Sequence, residues 1–535
     1  MAARGMRSAV LKRGDWYERV LIVLLILLWL AATAWTRRLA IPDEGRYVGV
    51  AWEMLGSGDW LTPTLNGMPY FHKPPLFYWI TAGALSTFGL NEWAARVAPI
   101  LGATTGAFAL YAFTRRWGGR RAASVTLLVL LAHPLWYVGG QFANHDMLVA
   151  GCIGATILLL ADAALCVERG LPHRKALAGA YLMAALGVLA KGLIGAVLPA
   201  LVLLLWLAMM RRWRTISALL WAPGFGLFLL LAAPWFIVMQ WRFADFFDYF
   251  FFVQHLKRFA SGGFNNVQPF WYYPALLALF ALPWAPWARG LFRREALADP
   301  EQGPVRLLMW LWLIVVVLFF SLPKSKLLGY VLPAVPPLAY LIADGFLAIS
   351  TPSTLRKRLW WTSTALAGVV SIGVVIGLSA QARKSSQSLA LALGAQRAPD
   401  EPVFMLQRYY FDLPFYARIR TPVAVVDDWA SAHLGARDDW RKELADAGRF
   451  AGAAASSVLL LPAAFAPALC ASPRTWVVGP ASAVGTHPLL AQAREIARTG
   501  HATLWVIDAA SPAMADALRC ASTPRDDSMI GQHRR

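Results

Sequence analysis

The chain has 535 residues, of which 58% are apolar and only 15% charged. Soluble domains average roughly 45–50% apolar and 25% charged residues, so this composition excludes an ordinary soluble enzyme and specifies a polytopic membrane protein. The net charge of +20 is divided among short basic clusters between apolar runs, the signature of cytoplasmic loops and not of a nucleic-acid-binding face.

A membrane-crossing helix needs roughly 20 predominantly apolar residues. That ruler gives about eleven candidate spans, near 20–40, 92–114, 122–140, 146–166, 175–191, 192–210, 216–239, 271–289, 305–322, 330–348 and 359–380. The first is too long for a removable signal and lacks a small-residue cleavage site, so it reads as a retained span. A tight turn or helix break is expected at 190–192. The aromatic stretch 75–89 is too short to cross and suits a helix lying in the interface. Basic clusters at 4–19, 115–121, 169–175, 211–214, 289–306 and 356–358 all fall on one face under this reading, which is therefore cytoplasmic. The opposite face receives the first loop, 41–91, and the C-terminal region. The expected organisation is a transmembrane catalytic domain at 1–380 and a soluble extracytoplasmic domain at 381–535.

Beyond residue 381 short apolar runs at 402–406, 422–426, 457–461, 475–479 and 503–507 alternate with Ala-, Arg- and Asp-rich stretches. That alternation predicts a small α/β domain with a largely parallel sheet. Four cysteines are too few for a disulfide framework. Cys152 and Cys166 sit in or beside an apolar run as packing residues, whereas an extracytoplasmic location permits one disulfide between Cys470 and Cys520.

Polar residues on the outer face concentrate in few places. The first loop carries Asp43, Glu44, Arg46, Tyr47, His72 and Lys73 within about thirty residues, and charge beside a span is costly unless solvated or functional. Only one of the neighbours Asp43 and Glu44 can face a given cavity from a helix. Asp146 opens the fourth span, where capping is its ordinary role. Lys191, between two apolar runs, has snorkelling as its plain explanation. Lys324 and Lys326 lie on the face that the positive-inside bias avoids, as do His255 and Arg258. Cations beside acids at the edge of an apolar bundle suit a phosphorylated lipid, with lysine and arginine on the phosphate and carboxylates near a sugar or nucleophile.

The ordered motifs Asp43-Glu44-Gly45-Arg46-Tyr47, SGDWLTPTLNG at 57–67, PYFHKPPLFYW at 69–79, NEWAAR at 91–96, Asn144-His145-Asp146 and Lys191-Gly192 resemble those of the bacterial aminoarabinose lipid A transferases. So do His255, Arg258-Phe259, the run 269–272, Pro283-Trp284 and 321–333. These enzymes belong with the protein O-mannosyltransferases among the GT-C type glycosyltransferases. The resemblance covers roughly residues 15–350. It implies a GT-C fold and an inverting transfer of a sugar from a polyprenyl-phosphate carrier to an envelope acceptor, most simply 4-amino-4-deoxy-L-arabinose from undecaprenyl phosphate to lipid A phosphate, at the bacterial inner membrane. It implies Asp43 as the central catalytic acid, Asp146 as the second acid, Arg46 and Lys73 on the carrier phosphate and Tyr330 beside them. Glu44, Tyr47, His72, His255, Arg258, Lys324 and Lys326 complete the expected substrate-binding set. No cofactor is specified, a divalent cation being an open option, and the metal ligands are unknown. The expected partners are the lipid-linked donor, the acceptor and membrane lipids, with no nucleic acid. The chain departs from the family pattern at Gly45, where alanine is usual, and at His72, where glutamate is usual. Its expected span count is also below the thirteen usual in the family. Alternatives are the same donor chemistry with a protein hydroxyl, a surface polysaccharide or another lipid as acceptor, and, more remotely, a lipid or sugar transporter. A transporter would show internal repeats and broken helices, and none is evident.

Overall fold

The computed structural model describes residues 13–257, 266–292, 297–349, 353–380, 385–434, 439–509, 511–518 and 520. These form two compact units, one of residues 1–63 and 70–382 and the other of residues 64–69 and 383–535.

The first unit is a helical bundle. Among the described residues, six helical stretches are long and apolar enough to cross a bilayer: Val97–Ala132, His145–Glu168, Ala222–Arg242, Gly303–Ser321, Leu328–Leu347 and Thr354–Ala380. The protein is thus a multi-pass membrane protein. The other expected spans take local forms that their sequence explains. The two at 92–114 and 122–140 are two helices that follow one another within Val97–Ala132 and part at Gly119, whose φ of 88° and ψ of 170° are not helical and whose positive φ only glycine adopts readily. The first helix, Arg13–Ala31, stops short of residue 40, and the chain then turns back on itself, with the Thr36 hydroxyl donating to the Thr33 carbonyl. Helices Arg174–Lys191 and Ile194–Met209 are separated at Gly192, where φ is 92°, at the expected break. The span at 271–289 is helical over Tyr272–Ala281 and tightens into a 3₁₀ turn over Leu282–Phe292, where Pro283 and Pro286 remove backbone donors. The stretch 75–89 forms the helix Leu76–Phe88.

Close helix crossing positions the site. A Cβ on Gly102 would lie 2.5 Å from the Leu148 Cα, and one on Gly151 would overlap the Gly102 carbonyl. Small residues thus let Val97–Ala132 and His145–Glu168 approach backbone to backbone, the membrane substitute for hydrophobic collapse. Their starts are brought level, so Arg96 and Asp146 lie at the same end of the pair.

The second unit is built on a six-stranded sheet. Its strands are numbered after a hairpin from the first loop, β1 (Thr64–Leu65) and β2 (Met68–Pro69). They are β3 (Val403–Leu406), β4 (Ala424–Val426), β5 (Leu459–Leu460), β6 (Arg474–Gly479), β7 (Arg494–Arg498) and β8 (Thr503–Asp508), in the order β5-β4-β3-β6-β8-β7. The first four in that order are parallel and the last two antiparallel. Five of these strands coincide with the apolar runs read from the sequence. Strand β7 does not, because Arg494, Glu495 and Arg498 mask it as a loop; charged side chains are how an edge strand resists pairing with another chain. One face carries the core of Phe404, Leu406, Val426, Phe465, Leu469, Val477, Trp505 and Ile507. The hairpin turns at Asn66 and Gly67, both at positive φ, the requirement of a tight two-residue turn. The Asn66 side chain pairs with the Val423 backbone, donating to its carbonyl at 2.9 Å and accepting from its amide at 2.8 Å.

Cys470, at the end of helix Pro462–Leu469, is bonded to Cys520, beyond helix Pro512–Leu518, while Cys152 and Cys166 are free and buried. Closing a loop of 50 residues contributes on the order of 4 kcal/mol through the unfolded chain. Replacing Cys470 with serine is expected to lower the unfolding temperature of this unit and to remove the mobility difference between reduced and unreduced protein on denaturing gels. Equal mobility of reduced and unreduced wild type would show that the bond does not form in the cell.

Candidate active site

The first loop opens with the helix Asp43–Ser57, and its two leading acids have opposite surroundings. Glu44 is fully buried. Its carboxylate forms ion pairs with Arg37 and with Arg96, the latter at 2.9 Å from Nε to Oε1. It also accepts from the amides of Ala40 and Ala143, each at 2.8 Å. Burial alone would raise its pKa, but the charges of Arg96 and Arg37 outweigh that and hold it at about 2. The guanidiniums are saturated in turn. Arg96 donates to the carbonyls of Ala34, Arg37 and Arg38, and Arg37 to that of Gln141. Every lone-pair direction of Glu44 is thus engaged within the protein, and its expected place in the substrate-binding set is corrected to an internal one.

Asp43 is the outward acid, with 41% of its side chain exposed and an ion pair to Arg46 Nη2 at 2.5 Å. Arg46 also lies over the Tyr47 ring, 4.6 Å from its centroid, and reaches the Tyr47 hydroxyl at 3.2 Å. Tyr47 packs edge-on against His145, with centroids 4.5 Å apart. Phe77 and Tyr78, from helix Leu76–Phe88, close on the same imidazole at 4.6 and 5.1 Å. The charges of Lys73, Lys191 and Arg46 all act on His145. Three elements therefore meet at one place, bringing Asp43, Arg46, Tyr47 and Lys73 to the end of the helix that begins His145-Asp146.

Asp146 is 9% exposed. Its amide is capped by the Asn144 side chain at 2.9 Å, and Asn144 also donates to Oδ2 at 3.1 Å. The carboxylate is paired with Lys191, whose ammonium sits 4.4 Å from the Tyr330 ring centroid. A Cβ on Gly329 would overlap the Asp146 carboxylate, so the segment before Tyr330 is pressed onto the acid. Lys191 is therefore more than a snorkelling residue: it is the counter-ion of Asp146.

The other expected residues divide. His72 is buried and stacked on Tyr70, with centroids 4.5 Å apart and Tyr249 6.0 Å away. Lys73 donates to the His72 carbonyl at 2.8 Å. Lys326 is 4% exposed, and its ammonium donates to the carbonyls of Gln268 at 2.9 Å and Pro323 at 2.6 Å. Burial lowers its pKa. Its backbone joins the bridge between Val267 and Ser325, so Lys326 fastens two loops together, and its expected substrate contact is corrected. Lys324 is exposed. The side chain of His255 and the whole of Arg258 lie outside the described residues. Among the described residues no cluster of three or more histidine, cysteine or acidic side chains has the geometry to hold a metal ion.

A family profile described as dolichyl-phosphate-mannose-protein mannosyltransferase matches residues 72–238. The undecaprenyl phosphate-α-4-amino-4-deoxy-L-arabinose arabinosyl transferase of Pseudomonas aeruginosa is 31% identical over 76% of this chain and 68% of its own length. The chain belongs to this family. The Enterobacter transferase of the same name is 32% identical over 68% of this chain and 65% of its own length. Family membership makes the chain a glycosyltransferase. The crystal structure of ArnT from Cupriavidus metallidurans bound to undecaprenyl phosphate superposes with a TM-score of 0.78, at 25% identity, over 92% of this chain and 98% of that one. An archaeal oligosaccharyltransferase from Archaeoglobus fulgidus shares the fold alone, at a TM-score of 0.50 and 14% identity over 77% of this chain and 65% of that one. Arg37 and Arg96, which enclose Glu44, were not among the expected site residues. The signal available for them was their basic charge beside the acid-bearing first loop.

Removing the Glu44 carboxylate orphans two buried guanidiniums, which costs on the order of 3–5 kcal/mol. Glu44→Ala is expected to lower the melting temperature in detergent and the yield of folded protein. Because the folded pKa lies below the ordinary 4.5, the stabilisation is complete above about pH 4.5 and is lost as pH falls toward 2. Wild type should therefore lose thermal stability over that window faster than Glu44→Gln, and parallel curves for the two would contradict the assignment.

Proposed function

We propose that the chain transfers 4-amino-4-deoxy-L-arabinose from undecaprenyl phosphate to a phosphate of lipid A, on the periplasmic side of the bacterial inner membrane. The observation that supports this reading most is the meeting of one outward acid, Asp43, with Arg46, Lys73 and the Asp146–Lys191 pair around His145, in a chain of the aminoarabinose transferase family. The first-named relatives bear the donor in their names, and the solved ArnT structure carries the same lipid phosphate.

The chemistry follows from charge. The carrier phosphate is the leaving group, and Lys73 and Arg46 neutralise the charge that develops on it. An arriving phosphate competes with Asp43 for Arg46, so donor binding loosens the resting ion pair and leaves a carboxylate beside the sugar. An oxygen of the acceptor phosphate attacks the anomeric carbon from the face opposite the carrier. The new C–O bond forms as the bond to the carrier oxygen breaks, and the electron pair leaves on undecaprenyl phosphate with inversion. An ionised phosphate brings no proton to remove, so Asp43 orients the amino sugar through its ammonium instead of acting as a base. A hydroxyl acceptor would require the same carboxylate to take a proton. Asp146, held by Lys191 and Asn144, lines the sugar side, with Tyr330 against its counter-ion. Lys324 and His72 are assigned to the substrate-binding set, in which the family resemblance also includes His255 and Arg258.

The test is the mass of lipid A from cells that make the aminoarabinose carrier but lack their own transferase. Wild type is expected to add one aminopentose, and Asp43→Asn to add none while inserting normally. Unmodified lipid A with correctly inserted wild type would move the acceptor to a protein hydroxyl or a surface polysaccharide. In the same cells Lys73→Ala is expected to retain slow transfer that rises with carrier supply. A loss independent of carrier level would count against its place on the phosphate.

A further inference from the structure

The two acid-bearing segments are joined by one buried connection. Glu44 follows Asp43 directly, and its Oε1 accepts from the amide of Ala143, the residue before Asn144. Asn144 in turn caps and touches Asp146. Arg37 closes the same link from the other side. Its Nη2 donates to Glu44 Oε1 at 3.1 Å and to the Gln141 carbonyl at 2.9 Å, so a single planar guanidinium holds both segments. The Gln141 side chain is buried and fixed by the Thr33 hydroxyl, which donates to its Oε1 at 2.7 Å. Arg37 itself is 6% exposed, with its guanidinium over the Phe142 ring at 5.3 Å.

Arg37 and Arg96 have different tasks. Arg96 supplies charge to Glu44 and fills carbonyls of residues 34–38, all on the first-loop side. Arg37 alone of the two reaches into the segment that leads to Asp146. A lysine at position 37 keeps a positive charge near Glu44 but cannot serve a carboxylate and a carbonyl with a rigid fork.

We propose that Arg37 is a positioning residue for the transfer reaction, setting the placement of Asp43 relative to Asp146 by bridging Glu44 and Gln141. This rests on the proposed transfer. Displacing reacting groups by about 1 Å can cost up to a hundredfold in rate, so loss of the bridge acts on turnover and leaves the cations that bind the donor phosphate in place.

Purified full-length wild type, Arg37→Lys and Thr33→Val are compared for melting temperature, for binding sites titrated with undecaprenyl phosphate, and for transfer rate per such site. For Arg37→Lys the expected result is a melting temperature within a few degrees of wild type, full donor stoichiometry with affinity unchanged within about twofold, and turnover per site reduced about tenfold or more. Thr33→Val, which leaves the ion cluster intact and frees the Gln141 side chain, should reduce turnover per site in the same direction. A purely structural residue would change melting temperature and site number but leave turnover per site alone, and that outcome overturns the proposal. If Arg37→Lys does not fold, Thr33→Val decides, with wild-type turnover overturning it. Absence of transfer by wild type that binds the carrier counts instead against the proposed reaction.

Discussion

The fold depends on one charge being taken out of water. Glu44 is buried completely, an arrangement that costs several kcal/mol unless the ion is surrounded by matched donors. Here two guanidiniums and two amides supply them, and the guanidiniums are satisfied by backbone carbonyls in turn. Such a cluster contributes little net stability compared with a well-packed apolar core. What it does is tie the first loop to the segment before Asp146, because the same carboxylate accepts from the amides of Ala40 and Ala143.

Adjacent carboxylates consequently serve opposite ends. A helix turns about 100° per residue, so when Glu44 points into the bundle Asp43 points away from it. The inward acid is spent on architecture, and the outward one is left half-exposed beside Arg46. Asp146 is a third case, buried but balanced by a single lysine and compressed by the glycine before Tyr330. The three acids differ less in sequence context than in the number of cations that each can reach.

Much of this was legible in the residues. Apolar run length predicted a membrane bundle, and the change to short β-rich runs after residue 381 predicted the sheet. The concentration of polar residues in the first loop pointed to Asp43, Arg46, Tyr47 and Lys73, of which Asp43, Arg46 and Tyr47 touch one another. Other features were not legible, for physical reasons. Glu44 and Lys326 looked like ligands for substrate because a charge on an outer loop carries no mark of what will bury it. Glu44 is enclosed by Arg37 and Arg96, one before and one far after it in sequence, and Lys326 by the carbonyls of the distant Gln268 and the nearby Pro323. Strand β7 was hidden because its alternation is of charge, as an edge strand requires.

The hairpin of β1 and β2 belongs to the second compact unit, although it is cut from the first loop between Trp60 and Tyr70. Its partner, Val423, lies 357 residues further along the chain. Synthesis runs from the N-terminus, so the loop bearing Asp43 and Lys73 emerges long before the strand that receives its tip. Its Asn66 amide group has to wait, hydrated, until nearly four-fifths of the polypeptide exists. The hairpin therefore finds its pairing partner late, once the segment leading into β4 has been made.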